Sequence, residues 1–135
     1  MVSPHKQFIR DKSRSLATSF KDAFAGLNYT FNNERNFRIH TVVTLLVVTA
    51  GFVLNINKME WLVVILCISL VMAAELVNTA IETTVDLIVG STYHELARIA
   101  KDVSAAAVVL SALLAVVIGF VVFLPYIWQL FISFL

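Results

Sequence analysis

Three long apolar runs, separated by short polar stretches, dominate the pattern along the chain. Ile39–Ile56 (IHTVVTLLVVTAGFVLNI) is uncharged apart from His40 at its edge. At about 1.5 Å per residue it nearly crosses a hydrocarbon layer about 30 Å thick. Trp61–Ile81 begins on an interfacial Trp and is interrupted only by Glu75 and Asn78 near its far end. Val103–Trp128 supplies the third run, with Pro125 expected to stop it and Tyr126 and Trp128 to close it as an aromatic belt. Ahead of these, Leu16, Phe20, Ala23, Phe24, Leu27 and Phe31 recur at spacings of three and four. That spacing predicts an amphipathic helix between Leu16 and Phe37, lying on the cytoplasmic membrane surface or, as the alternative, packing against the spans as an ordinary fourth helix. Met1–Lys12 reads as the one linker. The expectation is a single all-α integral membrane domain over residues 1–135, made of a cytoplasmic segment 1–38 with its surface helix and spans at about 39–56, 61–81 and 103–128.

Composition agrees with that pattern, since 59% of the 135 residues are apolar and only 14% charged, against about 25% charged in soluble chains. A formal net charge of +1 leaves no whole-chain field to hold nucleic acid. The lone Cys67 excludes an internal disulfide framework and a multi-cysteine zinc site. Lys6, Arg10, Lys12, Arg14, Lys21, Arg35 and Arg38 precede the first span, Lys58 alone follows it, and Arg98 and Lys101 lie between the second and third. By the positive-inside rule the N-terminus and the connection 82–102 are expected on the cytoplasmic side of a multi-pass protein. The first 38 residues carry no apolar core run of the kind a cleavable signal peptide needs.

Glu75 stands roughly 21 Å along the second span from Trp61, where an ionised carboxylate is costly unless it is paired or protonated. At 100° per residue Asn78 falls about 60° to one side of it, while Glu82 and Asp86 fall within about 20°. These four side chains therefore form one polar stripe that must face protein or water. A purely structural hydrogen-bond seam is common for one Asn, and less so for three carboxylates. The composition suits a divalent cation with nucleotide phosphates, because Mg²⁺ takes one or two carboxylates and keeps phosphate oxygens and water. Lys101 and Asp102 open the third span, a Lys that either reaches phosphate as a point charge or merely snorkels. No GxxxxGK[ST] loop, glycine-rich kinase loop, HRD or DFG is present, nor GxSxG or HExxH.

The segments AELVNTAIETTVD (Ala74–Asp86), YHELARIAKDVSAAAV (Tyr93–Val108) and NERNFR (Asn33–Arg38) occur in that family's order and together resemble the small bacterial integral-membrane lipid kinases, the diacylglycerol kinase and undecaprenol kinase family. The resemblance runs from Ser15 to Trp128. It implies a homotrimer of subunits with a surface helix and three spans, with active sites shared between neighbours, and phosphorylation of a membrane lipid hydroxyl by ATP with Mg²⁺. By the same resemblance Glu75 matches the general base, a task for which an apolar setting suits a carboxylate. Asn78 matches the amide that helps position the reacting groups. Glu34 and Glu82 match the two metal-holding carboxylates on the ATP phosphates, Lys101 and Asp102 match nucleotide contacts, and Tyr93 and His94 match a segment beside the base of the nucleotide. Thr92 stands where some members carry an acidic residue, and Asp22 where an aromatic is frequent.

NERNFRIH and the ending FLPYIW (Phe123–Trp128) resemble the Gram-positive branch, which favours undecaprenol over diacylglycerol as acceptor. Both acceptors present one hydroxyl at the interface and an apolar tail. A proton- or cation-relay membrane protein is the competing class: it too wants Glu75, Asn78 and Glu82 on one face, but has no use for Lys101-Asp102 or for ATP. The row Ser104, Val108, Ser111, Ala115 on the third span permits close helix approach under any of these readings.

Overall fold

A computed structural model describes residues 15–133 of the chain, and helices are its only regular elements among those residues. Met1–Lys12, Arg10 and Arg14 lie outside the described residues. The chain divides into two units, 1–33 and 34–135. In the first, α1 spans Leu16–Asn33. Ser15 Oγ accepts the Thr18 N–H at 3.3 Å, satisfying one of the amides a helix start leaves unpaired. At the other end Asn32 and Asn33 turn their side-chain amides back onto the Asn28 and Tyr29 carbonyls. The amphipathic pattern had predicted one helix through Phe37. It ends earlier because Glu34 takes extended backbone angles (φ −98, ψ 115) and caps the next helix, so Phe37 is a buried residue of the second unit.

That second unit holds α2 (Arg35–Val53), α3 (Lys58–Val89) and α4 (Glu95–Ser133), all long and apolar enough to cross a membrane. α2 stops where Leu54 N–H bonds back to Ala50 and Asn55 adopts a positive φ of 51. Ile56, placed in the first span by its hydropathy, instead folds from this turn into the core. α3 opens with a capping box: Asn57 Oδ1 accepts the Met59 and Glu60 amides, and Glu60 Oε2 accepts the Asn57 N–H at 2.7 Å. It closes on Gly90, whose φ of +57 suits a residue without Cβ. At 32 and 39 residues, α3 and α4 are about 48 and 58 Å long and project well past a hydrocarbon layer.

Pro125 does not stop α4, contrary to the reading from sequence; the helix runs through it to Ser133. Proline removes one backbone donor and strains the turn before it, which a long apolar helix packed against a neighbour absorbs without ending. Ile56, Val64 and Val122 form the buried core at this end, with Val47, Trp61, Ile68, Ile118 and Phe123 packed on it. Phe52 and Trp61 rings sit 4.8 Å apart, and Gly51 approaches Trp61 so closely that a Cβ there would meet two indole carbons at 2.9 Å. Tyr126 donates its hydroxyl to Glu60 Oε2 at 2.6 Å, tying α4 to the start of α3. The helix pair is thus aligned antiparallel, which sets the far half of α3 beside the beginning of α4.

Candidate active site

Polar residues that the helical period puts on one face of α3 meet α4 at the end opposite this core. Asn78 is the hub. Its Nδ2 donates to Glu82 Oε1 at 3.0 Å, one turn along the same helix, and its Oδ1 accepts the Ser104 hydroxyl of α4 at 2.6 Å. Asn78 and Ser104 are both buried. One turn beyond Glu82, Asp86 receives Lys101 Nζ of α4 at 2.8 and 3.1 Å on its two oxygens. Two of the four stripe residues, Asn78 and Asp86, are thereby joined to the start of α4, and Glu82 is linked to it through Asn78.

Glu75, the fourth, is only 2% exposed, the least exposed of the buried polar side chains. Its Oε1 accepts no hydrogen bond among the described residues, and His40 Nε2 of α2 stands 3.4 Å from it. Glu34, at the cap of α2, and Glu82 are near enough to act on it electrostatically. A cleft of about 330 Å³ opens onto this group, with Asn36, His40, Glu75 and Asn78 among its walls and Ala105, Val108 and Ala112 of α4 facing them. An apolar cavity of about 500 Å³ shares His40 and Ala112 with that cleft and continues toward Phe123 and Ile127. A largely apolar cleft that carries Glu75 and Asn78 on one wall therefore adjoins a greasier cavity, an arrangement suited to a molecule with a hydroxyl head and a hydrocarbon tail.

Not every residue singled out from sequence joins this seam. Asp102 Oδ2 pairs with Arg98 at 2.6 Å, and Arg98 with Glu95 at 2.7 Å, on an exposed flank of α4. Tyr93 donates its hydroxyl to Glu95 in the same flank. His94 lies in the turn before α4, its carbonyl accepting the Arg98 amide. Two residues of the site went unassigned in the sequence reading. Ser104 had been placed in a row of small residues allowing close approach, and His40 at a span edge; the signal in each case was a polar atom on a helix face turned toward the stripe.

Among the described residues no group of three or more His, Cys, Asp or Glu is gathered to hold a metal. Glu34 and Glu82 act on Glu75 electrostatically, and one oxygen of Glu82 is already engaged by Asn78. Such a donor set suits Mg²⁺ arriving with phosphate oxygens and water, not an ion caged wholly by protein.

The geometry defines a multi-pass helical membrane protein with a buried acidic site beside an apolar cavity. Residues 21–123 match the family model described as prokaryotic diacylglycerol kinase. The chain is 49% identical over 111 residues to a diacylglycerol kinase of Synechocystis, an alignment covering 82% of this chain and 63% of that protein, so slightly less than two thirds of that relative is represented. It is 39% identical over 116 residues to the undecaprenol kinase of Bacillus subtilis, covering 86% and 94% of the two chains. With the diacylglycerol kinase of Escherichia coli K12 the identity is 39% over 95 residues, 70% of this chain and 77% of the other. The chain belongs to the prokaryotic diacylglycerol kinase family, and lipid kinase is the activity class that membership gives it.

Proposed function

We propose that this protein transfers the γ-phosphate of Mg-ATP to the hydroxyl of a membrane lipid at the cytoplasmic face, with undecaprenol as the preferred acceptor. The observation that carries the reading is Glu75, a carboxylate 2% exposed that lines a cleft sharing His40, Ala112 and Val116 with an apolar cavity, its Oε1 without a hydrogen bond among the described residues. Glu75 takes the proton of the lipid hydroxyl as that oxygen attacks the γ-phosphorus; the bond to the β-phosphate oxygen breaks and ADP leaves. Asn78, held by Ser104, keeps Glu82 oriented. Glu34 and Glu82 would hold Mg²⁺, which supplies neutralising charge to the phosphates. Lys101 meets phosphate as a point charge, and Tyr93, His94 and Asp102 flank the nucleotide. Lys101 Nζ pairs with Asp86 at 2.8 Å.

Preference for undecaprenol rests on the NERNFRIH and FLPYIW segments and on a match reaching 94% of the Bacillus protein. The 49% identity to the Synechocystis protein favours diacylglycerol as the second reading. The working assembly in this proposal is a homotrimer whose neighbouring subunits share each site, with α1 lying on the cytoplasmic membrane surface and the N-terminus inside, as the basic residues ahead of the first span favour. Transfer from labelled Mg-ATP to undecaprenol and to diacylglycerol, side by side in lipid–detergent micelles, tests it. Turnover favouring undecaprenol, abolished in Glu75→Gln, is expected; turnover of diacylglycerol alone overturns the acceptor, and full activity in Glu75→Gln overturns the base.

A further inference from the structure

A buried carboxylate is stable in a fixed direction only when a donor or a positive group faces it. Among the described residues the ionisable groups around Glu75 are His40, Glu34 and Glu82, two of them carboxylates that offer it no positive partner. His40, 23% exposed, comes from a different helix and faces it, with Nε2 3.4 Å from the oxygen that lacks a hydrogen bond. His40 also lines both the cleft that carries Glu75 and the apolar cavity, so it stands where the two meet. That boundary is where a lipid hydroxyl must rest if its tail fills the cavity.

We propose that His40 is a positioning residue for Glu75: facing Oε1 across the packing of α2 on α3, it aims the carboxylate at the point in the cleft where the acceptor hydroxyl is deprotonated. The inference deepens the reading of Glu75 as the base and rests on it. Small rotations of an unpartnered carboxylate change the line along which it receives a proton, and turnover is sensitive to that line while substrate affinity is not.

Steady-state kinetics on the full chain in lipid–detergent micelles test the role. His40→Leu is expected to lower kcat about 30-fold while KM for Mg-ATP and for the lipid stays within about twofold, and His40→Gln, which keeps an N–H donor, to recover to within about fivefold of the parent. A second readout needs no turnover: in protein labelled with ¹⁵N-histidine, the ring resonances of His40 should move in Glu75→Gln while those of His5 and His94 stay. Unmoved His40 resonances, wild-type kcat in His40→Leu, or a raised lipid KM with kcat intact would each overturn the proposal. Should His40→Leu fail to fold, failure of His40→Gln to retain turnover, together with unmoved resonances, has the same force. Glu75→Gln assayed in parallel separates the two readings, since activity surviving there removes the base itself, whereas its loss beside an unimpaired His40→Leu removes only the positioning role.

Discussion

Replacing Ser104 by Ala isolates the hydrogen bond on which the candidate site turns. The Ser104 hydroxyl has one proton and two acceptors in reach, Asn78 Oδ1 at 2.6 Å and the Lys101 carbonyl at 2.9 Å. Glu82 decides between them. Glu82 Oε1 accepts the Asn78 Nδ2 donor at 3.0 Å, which turns Oδ1 toward α4 and leaves it to accept the Ser104 proton. Without that hydroxyl, a buried Oδ1 has no donor and the amide is free to rotate away from Glu82. Leaving a buried acceptor unpaired costs about 1–3 kcal/mol in soluble proteins, while hydrogen bonds between membrane helices average about 0.6. A loss of about 1 kcal/mol is therefore expected, a factor of about five in an equilibrium. Two measurements read it. The midpoint of reversible unfolding in mixed micelles should fall by the equivalent of that energy, and the Mg²⁺ concentration giving half-maximal lipid phosphorylation should rise about fivefold as Glu82 loses its orientation. Ser104→Thr, which restores a hydroxyl, should recover most of both. An unchanged Mg²⁺ requirement with a lowered midpoint would refute the link from Ser104 through Asn78 to Glu82, leaving only a packing role.

Other substitutions probe the parts around that hub. Gly51→Ala forces a methyl to within 2.9 Å of the Trp61 ring and should destabilise the fold by about 1–3 kcal/mol, read as a lowered unfolding midpoint, whereas Gly26→Ala, with nothing within 4 Å, should not. Tyr126→Phe removes the hydroxyl on Glu60 and should cost about 0.5–1.5 kcal/mol of stability with KM values unchanged; a change in KM would mean that the two ends of α3 communicate. Asp86→Asn releases Lys101 from its ion pair and should alter KM for Mg-ATP more than kcat, which initial rates across ATP concentrations will reveal; equal effects on both would place Asp86 in the transition state instead.

The stripe on α3 was legible because a 3.6-residue period converts spacing directly into direction: Glu75, Asn78, Glu82 and Asp86 had to share a face, and Asn78–Glu82 contact follows from i,i+4 geometry. What crosses between helices was not. Ser104 to Asn78 and His40 to Glu75 depend on the rotation of α4 and α2 about their own axes, which hydropathy leaves open when most of a helix surface is apolar. Helix ends were blurred for a related reason. Apolar runs mark what hydrocarbon can cover, so the polar extensions Lys58–Glu60, Glu82–Val89 and Glu95–Asp102 lay outside the spans although they continue the same helices. At Pro125 a local rule for soluble helices met packing that overrode it.

The outer two of the three side-chain ties between α3 and α4, Tyr126 to Glu60 and Lys101 to Asp86, mark off nearly equal lengths of helix. From Glu60 to Asp86 on one and from Lys101 to Tyr126 on the other, each stretch is about 38 Å at 1.5 Å per residue. The pair is therefore a ladder with a rung near each end and rails of matched length. A residue added to one rail alone would swing everything beyond it by about 100°, detaching a rung and turning acidic side chains toward hydrocarbon. Between the rungs the length of each rail is as constrained as the identity of any side chain it carries.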